Sequence, residues 1–81
     1  MKMIMIDTEK TGKKIKEMCL EKGLKVKDVQ RELGLKTPQA VYKWFSGKTK
    51  TIPSIDNLVM LGILLECHIE EMIDFKEIEN N

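Results

Sequence analysis

Over most of this chain apolar residues recur at three- and four-residue steps, the spacing of helices that bury one face, and the pattern predicts five of them. The first begins at Asp7 or Thr8, carries Ile15, Met18 and Leu20, and stops at Gly23. Gly12 lies inside it at a cost of about 1 kcal/mol relative to alanine, which moves the expected ordered start toward Thr11. The second runs from Val26 to Leu33 with Val29 and Leu33 inward. Gly34 suits the left-handed end of that helix, and Thr37-Pro38 suits the start of a third, Thr37 as N-cap and Pro38 as first helical residue. The run Gly47-Lys48-Thr49-Lys50-Thr51-Ile52-Pro53 interrupts helix, and Ser54 is the natural N-cap of a fourth. A short fifth helix covers Ile69 to Ile73, with His68 as the turn residue before it. Only residues 1–6 read as a strand.

The third helix carries the chemistry. From Pro38 to Phe45 the period sets Ala40, Val41 and Trp44 on one side, and Gln39, Tyr42, Lys43 and Ser46 on the other. The second face offers an amide that can bond an adenine edge bidentately, an ammonium that suits guanine or phosphate, and a ring that packs on a thymine methyl or a sugar. The competing reading is an ordinary solvated face. Trp44 belongs with Val41 in the core, whereas Phe45 fits the core, a cover for the fourth helix or a subunit contact equally well.

Charge separates the two readings. Residues 10–50 hold twelve Lys/Arg against four Asp/Glu, a balance of +8, while residues 51–81 hold Lys76 alone against seven acids, a balance of −6. A net charge of +1 therefore hides a polarised chain whose basic part contains the third helix.

Eighty-one residues with 42% hydrophobic and 33% charged content describe one folded domain rather than a disordered tail, too short for an added catalytic or ligand-binding module. The expected core is 8–74, with an N-terminal segment 1–7 and a tail 75–81. Met3-Ile4-Met5-Ile6 is too short for a signal or membrane segment, so a cytoplasmic location is expected. Cys19 and Cys67 lack metal-finger spacing and are expected as free, buried or half-buried thiols. Cys67-His68 with Glu70 and Glu71 resembles a ligand cluster only superficially, because neighbouring helical residues point in different directions. With a single histidine and no phosphate-binding glycine loop, the expectation is no enzyme, no metal, no cofactor and no small-molecule ligand.

Residues 8–74 resemble the DNA-binding domain of the phage repressor and Cro family of helix-turn-helix regulators, the XRE family. The resemblance rests on Lys25-Val26-Lys27-Asp28-Val29, then Leu33-Gly34-Leu35, then Thr37 to Trp44. Gly47-Lys48, Pro53-Ser54-Ile55-Asp56-Asn57-Leu58 and Ile69-Glu70-Glu71-Met72-Ile73 follow in the family's order. It implies an all-α, five-helix, lambda-repressor-like fold with a short extended N-terminal segment. By the same resemblance the base-contacting positions fall on Pro38, Gln39, Tyr42 and Lys43, and the phosphate-clamping loop on Ser46, Gly47 and Lys48. Lys27, Lys36, Thr37 and Lys50 would add backbone contacts, which position the protein while base contacts specify sequence. Two positions depart from the family pattern: Val26 stands where many relatives clamp a phosphate with glutamine, and Pro38 replaces a polar reader.

The fourth helix adds an inference of its own. Leu58 to Leu65 runs without a polar side chain, so the helix is apolar all round. Leu58, Leu61 and Leu65 suffice for the core, which leaves Met60, Ile63 and Leu64 as a candidate subunit interface with Gly62 permitting close approach. The alternative is that Met3–Ile6, or the tail near Phe75 and Ile78, folds back over them. A twofold homodimer would set two reading helices about 34 Å apart, one DNA turn, and would select an inverted-repeat operator.

These readings converge on a sequence-specific double-stranded DNA-binding transcriptional regulator, a repressor of bacterial or phage type. The alternative is a protein-interaction module, an antitoxin or adaptor, that docks a partner on the fourth helix.

Overall fold

A computed structural model describes residues 2–79. In chain order its elements are β1 (Lys2–Ile6), α1 (Thr8–Glu21), α2 (Val26–Glu32), α3 (Gln39–Ser46), α4 (Ile55–Leu65), α5 (Ile69–Met72) and β2 (Phe75–Glu79). One contiguous core joins Ile15 and Cys19 of α1, Val29 and Leu33 from α2 and its end, Val41, Trp44 and Phe45 of α3, Leu58, Leu61 and Leu65 of α4, and Met72 of α5.

α1 starts where its cap chemistry dictates. The Asp7 carboxylate accepts a hydrogen bond from the Lys10 amide at 3.0 Å, so the helix begins at Thr8 and Gly12 does not delay it. Its buried stripe is Thr11, Gly12, Ile15 and Cys19. Leu20, expected inward, is exposed because it lies about 100° beyond Cys19 around the helix. Gly12 explains itself by packing: a Cβ built there would run into the Trp44 carbonyl oxygen, so the bare backbone lets α1 and α3 touch.

α4 follows expectation. The Ser54 hydroxyl accepts from the Asn57 amide at 3.2 Å, and Leu58, Leu61 and Leu65 face the core. Gly62, expected to permit close approach of a second subunit, is buried within its own chain. A Cβ there would lie 2.9 Å from the Cys67 carbonyl, so the glycine accommodates the chain's own turn into α5.

The chain is not purely all-α. The tail expected after residue 74 forms β2, which pairs antiparallel with β1 in the register Lys2↔Glu79, Ile4↔Glu77 and Ile6↔Phe75. Lys2–Ile6 and Phe75–Glu79 therefore pair with each other, and of the tail Phe75 comes beside Val59 and Ile63 of α4. The two strands are brought together beside Asp74, whose carbonyl accepts from the Asp7 amide at 2.8 Å and whose amide donates to the buried Thr11 hydroxyl at 3.0 Å. That hydroxyl donates back to the Asp74 carbonyl at 3.4 Å, and Lys14 Nζ lies 3.2 Å from the Asp74 carboxylate.

Candidate nucleic-acid interface

The α2–turn–α3 unit is held from both sides. At its start the Lys25 amide donates to the Asp28 carboxylate at 2.8 Å; that bond, helped by the neighbouring Arg31 and Lys25 charges against some desolvation, holds Asp28 below the usual carboxylate range. Val26 is half-buried against the core. At the turn Leu33 is buried, and the Leu35 amide returns to the Gln30 carbonyl at 3.0 Å. The Gln30 side-chain amide donates to the Leu35 carbonyl at 3.3 Å and so closes the turn. Sequence reasoning did not single out Gln30; the signal is a side-chain amide one turn from a helix end, where carbonyls lack partners.

The third helix begins one residue later than expected. Pro38, not Thr37, is the N-cap: its carbonyl accepts from the Tyr42 amide at 3.1 Å, and no side chain caps the helix start. The ring holds Pro38 at φ −79°, close to the helical value, which lets the helix begin without a side-chain cap.

α3 divides as its period predicts. Val41, Trp44 and Phe45 are buried, which resolves Phe45 as a core residue, and Ala40 packs at the core's edge. Gln39, Tyr42, Lys43 and Ser46 are exposed, Tyr42 to 54%. Lys36 and Thr37 are exposed on the approach to the helix, and Pro38 is half-buried.

The loop after α3 folds back on the helix end. The Lys43 carbonyl accepts from both the Ser46 hydroxyl at 3.1 Å and the Thr49 hydroxyl at 3.2 Å, while the Lys48 amide donates to Ser46 Oγ at 3.3 Å. Gly47 turns the chain at φ +67° and is pressed against α1; a Cβ there would sit 3.1 Å from Glu9 Cγ. Thr49, absent from the predicted set, is a tie within this loop. Lys48 and Lys50 are exposed.

Ion pairing sorts the basic side chains. Lys2, Lys13, Lys14, Lys22 and Arg31 have carboxylate partners within 4.0 Å. Lys10, Lys16, Lys25 and Lys76 are exposed and have no such partner among the described residues, and neither have the exposed Lys27, Lys36, Lys43, Lys48 and Lys50. The last five ammonium groups lie on or beside α2 and α3, where an anion would find them uncompensated.

The α4 face is also open. Ile55, Val59, Met60 and Ile63 are exposed, Ile63 to 74%, whereas Leu64 packs against the core. Val59 and Ile63 border a groove completed by Ile69, Ile73 and Phe75.

Among the described residues no three His, Cys, Asp or Glu side chains are placed to share a metal ion. The His68 amide instead donates to the Glu71 carboxylate at 2.6 Å as the start of α5. Both cysteines are free thiols. Burial, with the nearby Cys67, pushes the Cys19 thiol up to about 11; burial and Glu71 raise Cys67 against the opposing Lys22. No helix among the described residues is long and apolar enough to cross a membrane.

Comparison with known proteins agrees with this geometry. The family described as helix-turn-helix matches residues 15–72. Among solved structures, the chain is similar to the restriction-modification controller protein C.AhdI from Aeromonas hydrophila. The TM-score is 0.70 at 24% identity, covering 82% of this chain and 96% of that one. No curated protein sequence matches.

Proposed function

The chain belongs to the helix-turn-helix family of DNA-binding regulators, the XRE family, and from that premise we propose that it is a sequence-specific repressor that lays α3 in the major groove of double-stranded DNA. The observation that carries this is the division of α3: its apolar face is locked in the core while Gln39, Tyr42 and Lys43 stand free beside unpaired lysines.

Gln39 reads an adenine edge, Lys43 a guanine, and Tyr42 packs on a methyl or sugar. Pro38 contributes apolar contact at the helix start. Lys27, Lys36, Thr37, Ser46, Gly47, Lys48 and Lys50 hold phosphates. The Ser46 hydroxyl already donates to Lys43 and its oxygen accepts from the Lys48 amide, so Ser46 shapes the loop while Lys48 supplies the charge. A second copy docks on the exposed α4 face around Met60 and Ile63, with Leu64 at its edge, giving twofold symmetry and an inverted-repeat operator with half-sites about one turn apart. Occupancy of that operator excludes polymerase.

Selection of bound duplexes from a random pool, then titration of the winner and a scrambled control across a salt series, tests the reading. A palindromic winner bound far more tightly than the control is the expected result. Uniform, weak, salt-sensitive binding to every sequence would overturn it, and would favour the reading in which the open α4 face docks a protein partner.

A further inference from the structure

The β1–β2 ribbon has no role in the reading surface, and its chemistry asks for one. The two strands make their main contacts with each other, residue for residue along the ribbon. Every residue of the ribbon but Ile6 is exposed, Ile4 to 67% and Phe75 to 60%. A sheet of two strands alone is marginal in water. Among the described residues each strand has one edge with no strand beside it.

The two edges differ in kind. β2 carries Lys76, Glu77 and Glu79, the sort of charge that keeps an edge from accepting another strand. β1 carries Lys2 and then four apolar residues, with no acid and no proline. Its alternation gives each face an apolar residue, Ile4 on the Lys2 side and Met5 on the other.

We infer that the free edge of β1 pairs antiparallel with β1 of a second copy about a twofold axis through Ile4, making a four-stranded sheet in the order β2-β1-β1-β2. In that register Ile4 faces Ile4, Met3 faces Met5 and Lys2 faces Ile6, so no like charges meet and apolar side chains gain cross-strand neighbours. Lys2 keeps its ion pair with Glu77, at 3.6 Å within its own chain. The same operation on β2, centred on Glu77, would set one carboxylate against another, which destabilises a cross-strand pair. Pairing β1 of one copy with β2 of the next would leave an edge open at every step and build a fibre rather than a closed pair. The β1 contact is separate from the α4 face and independent of DNA binding. A chain that uses both joins two pairs into four.

Site-directed cross-linking distinguishes the alternatives. In the full chain carrying Cys67→Ser, with Cys19 buried, single cysteines are placed at Ile4 or at Glu77 and oxidised under mild conditions. Across an antiparallel pair directly opposed Cα atoms lie about 4.5–5.5 Å apart, within disulfide reach. The expected result is a covalent dimer for Ile4→Cys and a monomer for Glu77→Cys, with unchanged Trp44 fluorescence in both. Cross-linking of Glu77→Cys alone, of both equally, or of neither overturns the inference. Sedimentation supplies a measurement without added thiols: Ile63→Glu should still form a dimer, and adding Ile4→Lys should reduce it to monomer. A monomer already in Ile63→Glu also overturns it.

Discussion

The Thr11 hydroxyl and the Asp74 backbone form a reciprocal pair: the hydroxyl accepts from the amide at 3.0 Å and donates to the carbonyl at 3.4 Å across 63 positions of sequence. Thr11 is the buried polar residue of the core, and this pair satisfies it.

Thr11→Val keeps the shape and removes both bonds, leaving the Asp74 amide without its partner while the Asp74 carbonyl keeps the Asp7 amide. A loss of about 1–3 kcal/mol is expected. For a domain of this size each kcal/mol lowers the melting temperature by about 4–8 °C. Thermal denaturation followed by circular dichroism checks it, and hydrogen exchange should show β1 and β2 opening before the helices.

Gly12→Ala reverses an ordinary rule. Helix propensity alone favours alanine by about 1 kcal/mol, but the added methyl meets the Trp44 carbonyl and forces α1 from α3. A net destabilisation of about 1–3 kcal/mol is expected, the range for overpacked sites. Urea unfolding of the variant decides between the two; a gain in stability would refute the close approach.

On DNA, Gln39→Ala and Lys48→Ala should fail differently. Loss of Gln39 should cost about 1–3 kcal/mol at one operator position and relax discrimination there. Loss of Lys48 should weaken binding to all sequences and flatten the slope of log K against log salt by about 0.9. Titrations of both variants against operator and scrambled duplex at several salt concentrations separate these outcomes.

The thiols should respond to alkali and to alkylation in order. The folded state holds the Cys19 proton more tightly than the unfolded chain, so its contribution to stability is complete below about 9 and is lost as pH rises toward about 11. Cys19→Ala should show a shallower fall in urea midpoint across that window. An alkylating reagent at pH 8 should label Cys67 well before Cys19, as read by mass spectrometry.

The division of α3 into a buried and an exposed face was legible because Val41, Trp44, Gln39 and Lys43 obey one local period. The cap at Ser54 was legible because it is a side chain bonding within three residues, whereas Gly12 draws the expected start toward Thr11 and hides the cap at Asp7. What the sequence hid depends on distant partners. Phe75 to Glu79 is a strand only because Lys2 to Ile6 lies beside it, and that pairing spans nearly the whole chain. Gly12 and Gly62 looked like a helix defect and a subunit contact. The reason for each is a carbonyl, at Trp44 and Cys67, whose approach no local pattern encodes. Leu20 was misplaced by reading apolarity without the helical angle.

Lys43 takes part in the fold through its carbonyl, which ties down Ser46 and Thr49, and leaves its side chain outside. Every amino acid brings that carbonyl, so the frame is indifferent to what stands at 43. The same holds at 39 and 42, whose side chains are exposed. The vocabulary of this surface can therefore drift one letter at a time while the scaffold beneath stays fixed, and descendants of this chain can acquire new targets without first acquiring new stability.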